Sequence, residues 1–327
     1  MHHAIKYISL LVLTVYISAN LTSCGRIETP REDEQYKIEF SNVGTKAMLN
    51  DIDYMTEFGV FAEYGDNDKD KWSPLLTAER VYRDGDDFRY DNVQYWIKDQ
   101  TFRFFAVWPY GTEVDTDNAG IYEVSYSTPE TADEDLLTAY CEGTYPDDFE
   151  DGTVPLDFNH ILSKFRLQIS YDGVKNNFDY FWIKSVSLAN VKQTGVLTTS
   201  VYNKTESWYF NEDRLTFTKE YDAPGAQLKL NAGSLMPWES LTLIPQSFNR
   251  NDIALTIVYD YQQNGVVDNE SPIIEKTVMT TLPAGEWKAG KVYTYNITIS
   301  ESNLVVFKNI GVQEWGAPIS GGAIIIK

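Results

Sequence analysis

The stretch TFRFFAVW, residues Thr101–Trp108, carries the clearest fold signal in the sequence. Most of its residues are aromatic or β-branched, and such side chains are enriched in strands because they pack well on a pleated surface. Similar stretches are TEFGVFAEY at 56–64 and GIYEVSY at 120–126. Turn-forming residues separate them, among them the pair Asp84-Gly85. The first half of the chain is therefore predicted to consist of strands.

The rest of the chain repeats this pattern. Tyr36, Ile38 and Phe40 alternate with polar residues, which is the period of a half-buried strand. After an acidic stretch at 145–155 (YPDDFEDGTVP), further strands are predicted at 164–171, 181–188, 228–230, 253–262, 273–280, 292–300, 304–307 and 323–326. Convincing amphipathic helices are few. Many short strands with regular turns predict an all-β protein built of β-sandwiches.

The N-terminus has the features of a lipoprotein signal peptide. Residues 1–6 are short and basic, and residues 8–17 (ISLLVLTVYI) form an apolar run too short to span a bilayer comfortably. Leu21-Thr22-Ser23-Cys24 follows and resembles a bacterial lipobox, with Cys24 as the predicted site of lipid attachment. The alternative is an ordinary signal peptide that happens to have a cysteine nearby. Several acyl chains would anchor the protein durably to a membrane.

These signals divide the chain into four predicted parts. Residues 1–23 are the signal peptide, and residues 24–35 (CGRIETPREDEQ) are a polar tether. An N-terminal β-sandwich domain is predicted at 36–155 and a C-terminal one at 156–327, with the boundary at the end of the acidic stretch.

Charge and residue usage exclude several classes of function. The formal net charge of −21 argues against binding to nucleic acid or to anionic lipid. Once Cys24 is acylated, Cys141 is the only thiol, so no intramolecular disulfide is predicted. His160 is the only histidine after the signal peptide, and zinc sites of histidine and cysteine lack ligands. We expect thiol reagents to label a buried Cys141 only after denaturation.

Nothing in the sequence predicts catalysis, a metal site or a cofactor. Asp66, Asp68 and Asp70 resemble the start of a calcium loop, but the expected glycine and glutamate are missing. The phosphate-loop, dinucleotide and Gly-x-Ser-x-Gly motifs are absent, and no pair of acids is marked for glycoside hydrolysis. Aromatic residues that could line a sugar platform, although core packing is the default for them, are Trp72, Trp96, Trp208 and Trp238.

Several segments together resemble the fimbrillin family, the subunits of type V pili and their lipoprotein relatives. They occur in order over nearly all of the chain after the signal peptide: FGVFA (58–62), FFAVWP (104–109), LDFNHILSK (156–164), IPQ (244–246), WKAGKVYTY (287–295) and VQEW (312–315). The second-half segments His-x-Leu-Ser-Lys and Trp-x-x-Gly-Lys-x-Tyr are the most specific.

The resemblance implies two transthyretin-like β-sandwich domains in tandem and assembly by strand exchange. A protease removes the first strand, and the strand of a neighbouring subunit fills the groove by β-addition. The implied partners are other fimbrial subunits, in a homo- or heteropolymer, and the outer membrane through the acyl chains before processing. The implied location is the outer membrane or cell surface, in a fimbrium.

Candidates for each part of this mechanism are present. The displaced strand is residues 36–42, with Tyr36, Ile38 and Phe40 in the groove. Related subunits are cut after a basic residue, usually arginine, and here Lys46-Ala47 is the candidate site. Lys46 is otherwise an exposed loop lysine, and the basic residues Arg26 and Arg31 are alternative sites. Ile324 and Ile326 are candidate donor-strand residues, unless this strand completes its own domain.

The first hypothesis is therefore a structural and adhesive fimbrial subunit, with stalk, tip and uncleaved-anchor roles left open. The second is a monomeric surface lipoprotein that binds glycans or other host ligands, and a hydrolase ranks last. His160 lies within a family segment at the start of the second domain. We expect it to be structural, with its ring hydrogen-bonded between the domains.

Overall fold

A computed structural model describes thirteen ranges of the chain. They are residues 36–40, 43–45, 55–65, 72–85, 87–117, 120–131, 134–173, 180–200, 205–221, 228–230, 234–263, 271–315 and 324–325. The signal peptide, Cys24 and the tether lie outside the described residues, as do Asp66, Asp68 and Asp70. Within the described ranges, no helix is long and apolar enough to cross a membrane.

The described residues form twenty-three strands. In the first half of the chain they are β1 (Val43–Thr45), β2 (Glu57–Gly65), β3 (Trp72–Asp84), β4 (Asp87–Arg89), β5 (Thr101–Trp108), β6 (Val114–Thr116), β7 (Ile121–Ser127), β8 (Leu137–Thr144) and β9 (Leu156–His160). The next are β10 (Ser163–Tyr171), β11 (Tyr180–Lys192), β12 (Thr194–Ser200), β13 (Thr205–Phe210), β14 (Arg214–Glu220), β15 (Leu228–Leu230) and β16 (Ser234–Leu243). The last are β17 (Gln246–Phe248), β18 (Ala254–Gln262), β19 (Ile274–Thr281), β20 (Gly285–Trp287), β21 (Lys291–Ile299), β22 (Val305–Glu314) and β23 (Ile324–Ile325). The all-β prediction is confirmed.

The N-terminal half is organised around a seven-stranded sheet of order β1-β9-β8-β5-β2-β3-β4. Its central strands β2 and β5 are buried on both faces, as their nearly continuous apolar sequences require. On one face, Phe61 and Phe105 pack against Tyr122 of a four-stranded sheet of order β13-β12-β7-β6. On the other face, Phe104 contacts Trp96 and Phe149, which lie in the loops between strands.

The C-terminal half is a sandwich of two sheets. One has the order β16-β10-β21-β22-β23, and the other has the order β14-β11-β18-β19, with β15 also paired to β11. Strand β10 alternates between buried and half-buried residues along its whole length, so Phe165, Leu167 and Ile169 all point into the core between the sheets. The hairpin predicted from residues 253–262 and 273–280 is confirmed as β18 and β19, which pair antiparallel.

Two elements that follow the predicted boundary at residue 155 pair with strands that precede it. Strand β9 begins at Leu156 and pairs with β8 and β1. Strand β12 pairs antiparallel with β7 and carries β13 at its other edge, so this hairpin extends a sheet that begins in the first half. The division into domains at 36–155 and 156–327 stays a prediction, and strand pairing crosses it in both places.

A row of three charged residues crosses the seven-stranded sheet; Arg103 and Glu63 are buried, and Glu142 is exposed. Arg103 of β5 lies between its cross-strand partners Glu63 of β2 and Glu142 of β8. Its Nε donates to Glu142 Oε2 at 2.7 Å, its Nη1 lies 3.7 Å from Glu63 Oε1, and its guanidinium stacks over the Trp72 ring at 3.5 Å. Burial raises the pKa of Glu63, and the nearby Arg103 opposes that shift. The arginine therefore compensates a carboxylate that has lost its hydration.

We expect Arg103→Gln to lower the free energy of unfolding by about 3–5 kcal/mol, because it leaves Glu63 buried without a countercharge. The matched control is Arg80→Gln, which removes the exposed ion pair with Glu57 and is expected to change stability far less, because water screens that pair. Urea unfolding of both variants measures the difference. Equal losses would contradict a stabilising role for the buried contact between Arg103 and Glu63.

Candidate functional site

Residues 37–40 form hydrogen bonds to two separate parts of the N-terminal half. On one side, Lys37 is bridged antiparallel to Tyr95, and the Ile38 amide donates to the Gln94 carbonyl at 3.0 Å. On the other side, Glu39 is bridged in parallel to Thr153: its amide donates to the Gly152 carbonyl at 3.2 Å, and its carbonyl accepts from the Val154 amide at 2.8 Å. The segment thus connects the loop after β4 to the chain before β9. Strand β4 is at one end of the seven-stranded sheet, and β9 is next to the strand at the other end.

The side chains of this segment alternate as the sequence predicts. Ile38 and Phe40 are 1% and 0% exposed, Lys37 and Glu39 are exposed, and Tyr36 is half-buried. The Phe40 ring lies among Tyr90, Phe104 and Phe58, with centroid distances of 5.3, 6.1 and 6.5 Å. The inward side chains of a surface segment therefore form part of the aromatic core.

Three residues outside the segment shape the slot that it occupies. The Tyr90 hydroxyl donates to the Ile38 carbonyl at 2.9 Å, and burial raises the pKa of this hydroxyl. Trp96 Nε1 donates to the Gly152 carbonyl at 2.9 Å. Gly152 has a φ of +76°, and a β-carbon there would lie 3.4 Å from the Lys37 carbonyl oxygen. A side chain at position 152 would be strained because of this backbone conformation.

Residues 37–40 do not fill the slot completely. A cavity of about 410 Å³ lies beside them, lined by the segment itself and by Asp87, Phe88, Arg89, Tyr90 and Val93. The lining is part aromatic and part charged, and it follows the β4 side of the segment.

Strand β1 continues the segment along β9. Val43, Gly44 and Thr45 pair in parallel with Leu156, Asp157 and Phe158, and β1 is the last strand at this edge among the described strands. The candidate cleavage residues Lys46 and Ala47 lie outside the described residues, so cleavage there stays a prediction. Thr45, which precedes Lys46, is the last residue of β1.

The other predicted strand for exchange is at the C-terminus. In the described part of the C-terminus, β23 pairs antiparallel with β22, Ile325 with Gly311 and Ile324 with Val312. It lies at the end of its sheet among the described strands. Ile326 lies outside the described residues. In this structure β23 completes its own sheet, which was the alternative to donation, and donation itself stays a prediction.

His160 lies at the end of β9, in contact with Asp135 from the chain before β8 and with Trp315 from the chain after β22. Its Nδ1 is 2.6 Å from Asp135 Oδ2, and its ring stacks on Trp315 with a centroid distance of 4.2 Å and an interplanar angle of 10°. These contacts are typical of a structural residue. Sequence reasoning did not identify Asp135 or Trp315 as its partners, because they are 25 and 155 positions away and no motif links them.

Two of the four tryptophans suggested for a sugar platform are buried. Trp96 and Trp238 are 5% and 4% exposed, so an exposed platform is wrong for them and core packing is confirmed. Trp72 and Trp208 are half-buried. Among the described residues, no group of histidine, cysteine or acidic side chains could hold a metal ion.

Cys141 is half-buried on β8, and burial is the main cause that raises the pKa of its thiol to about 12. The carboxylates of Asp148 and Asp157 add to the shift. In a Cys24→Ser variant at pH 8, we expect iodoacetamide to label native Cys141 at least roughly tenfold more slowly than the denatured chain, because the thiolate is the nucleophile. Equal rates would show that the thiol is accessible and ionises normally.

We expect Phe40→Ala to lower the free energy of unfolding by about 3–5 kcal/mol, since it removes a ring from a packed aromatic cluster. The control Glu39→Ala removes a neighbouring exposed side chain and is expected to change it by less than about 0.5 kcal/mol. Denaturant unfolding of both variants tests whether the segment is part of the core. A small effect of Phe40→Ala would contradict this.

Comparison with known proteins identifies similar sequences and folds. The sequence profile described as Fimbrillin-like matches residues 45–315. A fimbrial protein from Bacteroides vulgatus is 17% identical, with a TM-score of 0.70 over 86% of this chain and 100% of its own. A candidate cell adhesion protein from Bacteroides uniformis is 18% identical, with a TM-score of 0.49 over 86% and 99%. No curated protein matches the sequence. The similarity to the Bacteroides vulgatus protein shows a shared fold.

Proposed function

This chain belongs to the fimbrillin-like family, and we propose that it is a structural and adhesive subunit of a type V-like fimbria. In this proposal the protein is exported as a lipoprotein through Cys24 and loses its first strand to a protease. It then assembles with other fimbrial subunits by strand exchange at the cell surface. The role is structural and involves no catalytic step by this chain.

The observation that carries the proposal is the two-sided pairing of residues 37–40. Their removal would take the hydrogen-bond partner from the Val154 amide and one of two donors from each of the Gln94 and Gly152 carbonyls. It would also empty the places of Ile38 and Phe40. Unpaired backbone groups and exposed aromatic surface are costly in water. A strand from another subunit restores both kinds of contact at once, which is the basis of β-addition.

Strand β23 supports the second half of the proposal. Among the described strands it lies at the end of its sheet and pairs with β22 alone, so its release leaves the other described strand pairs of that sheet in place. Ile324 and Ile326 have the same spacing of two as Ile38 and Phe40, and side chains two apart in a strand point to the same face. A donated C-terminal strand therefore has apolar side chains at the spacing that the slot accepts.

The lipid anchor decides between the roles of stalk and anchor in this proposal. A subunit that is cut after Lys46 loses Cys24 together with its first strand and is free to enter the polymer. A subunit that keeps Cys24 stays at the outer membrane with its slot occupied and could serve only as a base.

The experiment compares two forms of the chain on a non-boiled gel: one that starts at Cys24 and one that starts at Ala47. We expect the Ala47 form to give a detergent-resistant ladder and the Cys24 form to stay monomeric, because only the first has an open slot. Deleting residues 316–327 from the Ala47 form should abolish the ladder. A ladder that survives this deletion would refute donation by the C-terminal strand.

Processing in the native host is tested by mass spectrometry of the N-terminus. Lys46→Ala is expected to leave the acylated Cys24 start in place, whereas Lys46→Arg keeps a basic residue and is expected to allow an Ala47 start. An unchanged N-terminus in Lys46→Ala would show that cleavage occurs elsewhere, with Arg26 and Arg31 as the next sites to test.

A further inference from the structure

The four-stranded sheet β13-β12-β7-β6 ends at β13, which has no neighbour on its outer side among the described strands. Strand β13 pairs with β12 along its whole length, Thr205–Phe210, without a bulge. It contains no proline, and Glu206 is its only charged residue. It is therefore a regular strand with an open edge, of the kind to which a further strand can add.

The other edges of the described sheets have features that hinder strand addition. Most of these edge strands are only two or three residues long, namely β1, β4, β6, β15, β17, β20 and β23. Strand β16 contains Pro237 and pairs irregularly with β10. Strand β14 begins and ends with the charged residues Arg214 and Glu220, and on β19 the Thr277 carbonyl accepts from the side chain of Asn303 at 2.9 Å. Of these protective features, β13 has only a single charge.

The backbone groups that β13 directs to its open edge follow from its pairing with β12. The Asn211 amide donates to the Thr194 carbonyl at 3.2 Å, so these two residues form a hydrogen-bonded pair. Hydrogen-bonded and non-hydrogen-bonded pairs alternate along an antiparallel ladder. The odd-numbered residues of β13 therefore bond to β12, whereas Glu206, Trp208 and Phe210 direct their N–H and C=O groups outward.

We propose that this edge is a homodimer interface, at which the β13 strands of two copies of this chain pair antiparallel about a two-fold axis through Trp208. Residues that lie opposite each other in such a pair must share a face of the continuous sheet and must both direct backbone groups outward. With Trp208 opposite Trp208 of the other copy, Glu206 lies opposite Phe210 in both directions. Each of these pairs then exchanges two backbone hydrogen bonds. Two-fold symmetry is the commonest arrangement of identical subunits.

The charges at the two ends of this ladder are self-complementary. Lys192 Nζ lies 3.8 Å from the centroid of the Phe210 ring, so the register brings Glu206 of one copy close to Lys192 of the other. No described side chain forms an ion pair or a hydrogen bond with Glu206, and burial alone raises the pKa of its carboxyl. Burial is also the main cause that lowers the pKa of Lys192. Dimerisation thus supplies each carboxylate with the countercharge that it lacks in the monomer.

The side chains at the centre of the ladder are aromatic. Tyr209 is 66% exposed on the outer face. In the proposed register it lies opposite Ser207 of the other copy, and the two Tyr209 rings are diagonal neighbours, within reach of each other. On the inner face, the half-buried Trp208 rings lie directly opposite each other. Pairing therefore removes apolar surface from water on both faces of the sheet.

The ladder is short, so we expect a weak dimer. Interfaces that bury less than about 1,200 Å² in total are typical of transient complexes, and association in the micromolar range is expected. This interface does not involve the slot of residues 37–40. It forms without cleavage or strand exchange, so the inference goes beyond the proposed function and does not depend on it.

The experiment is sedimentation velocity of the purified Cys24→Ser protein, which carries no acyl chains. We expect the weight-average sedimentation coefficient to rise from the monomer value toward that of a dimer between about 1 μM and about 200 μM. Glu206→Lys and Lys192→Glu each place like charges opposite each other and are expected to weaken association at least roughly tenfold. The double variant Glu206→Lys/Lys192→Glu restores opposite charges and should restore association.

Glu220→Lys is the matched control, because it makes the same change of charge at an exposed position on β14. It should associate like the wild type. Trp208→Pro tests the backbone ladder separately: it removes an N–H that faces the open edge, keeps the bonds to β12 and should abolish association.

A wild type that stays monomeric at all these concentrations would overturn the inference, as would single variants that associate normally. A double variant that keeps the circular dichroism spectrum of the wild type but does not recover association would reject the pairing of Glu206 with Lys192, on which the inference rests. All forms keep residues 36–46, so a failed ladder experiment would reject strand exchange without changing these outcomes. A failed sedimentation experiment would reject the dimer alone.

Discussion

The structure depends on one constraint: a β-sheet cannot leave a long edge of backbone groups unpaired and remain soluble as a single molecule. At one end of the seven-stranded sheet, β1 meets this constraint by covering the edge of β9. Residues 37–40, which are not one of its regular strands, pair their backbone with the loop after β4 and with the chain before β9. The same residues supply Ile38 and Phe40 to the aromatic core. Backbone pairing and core packing are therefore combined in this short segment.

The sequence predicts the regular part of this architecture well, for a physical reason. Strands that are half-buried or fully buried have local patterns, and Thr101–Trp108 and the alternation at 164–171 were predicted nearly to the residue. Strand β3 was missed because Pro74 interrupts it and Ala78 has a φ of +50° at a bulge opposite Phe61. In the sequence alone, a proline and a bulge within a strand cannot be distinguished from a turn.

Non-local pairing could not be predicted in the same way. The hairpin β12–β13 pairs with β7, about seventy residues earlier, and nothing in either sequence marks the other as its partner. At the candidate site, the alternation of Ile38 and Phe40 was visible in the sequence, whereas nothing in it indicated the contacts of Tyr90 and Gly152 with this segment. The roles of these residues arise from positions that the chain reaches only after folding. The family resemblance implied cleavage followed by strand exchange, whereas the contacts of individual residues are seen only in the structure.

Competition between two strands for one slot explains why processing is needed in the proposed mechanism. The segment 37–40 is tethered to its own slot, and a short tether gives an effective concentration on the order of millimolar. A donor of equal intrinsic affinity on another molecule, present at micromolar concentration, would therefore be excluded almost completely. Cutting the chain after the segment removes this advantage, because the released strand dissociates and is diluted. The donor strand of another subunit then meets no tethered competitor for the slot, so it can fill the slot even at micromolar concentration.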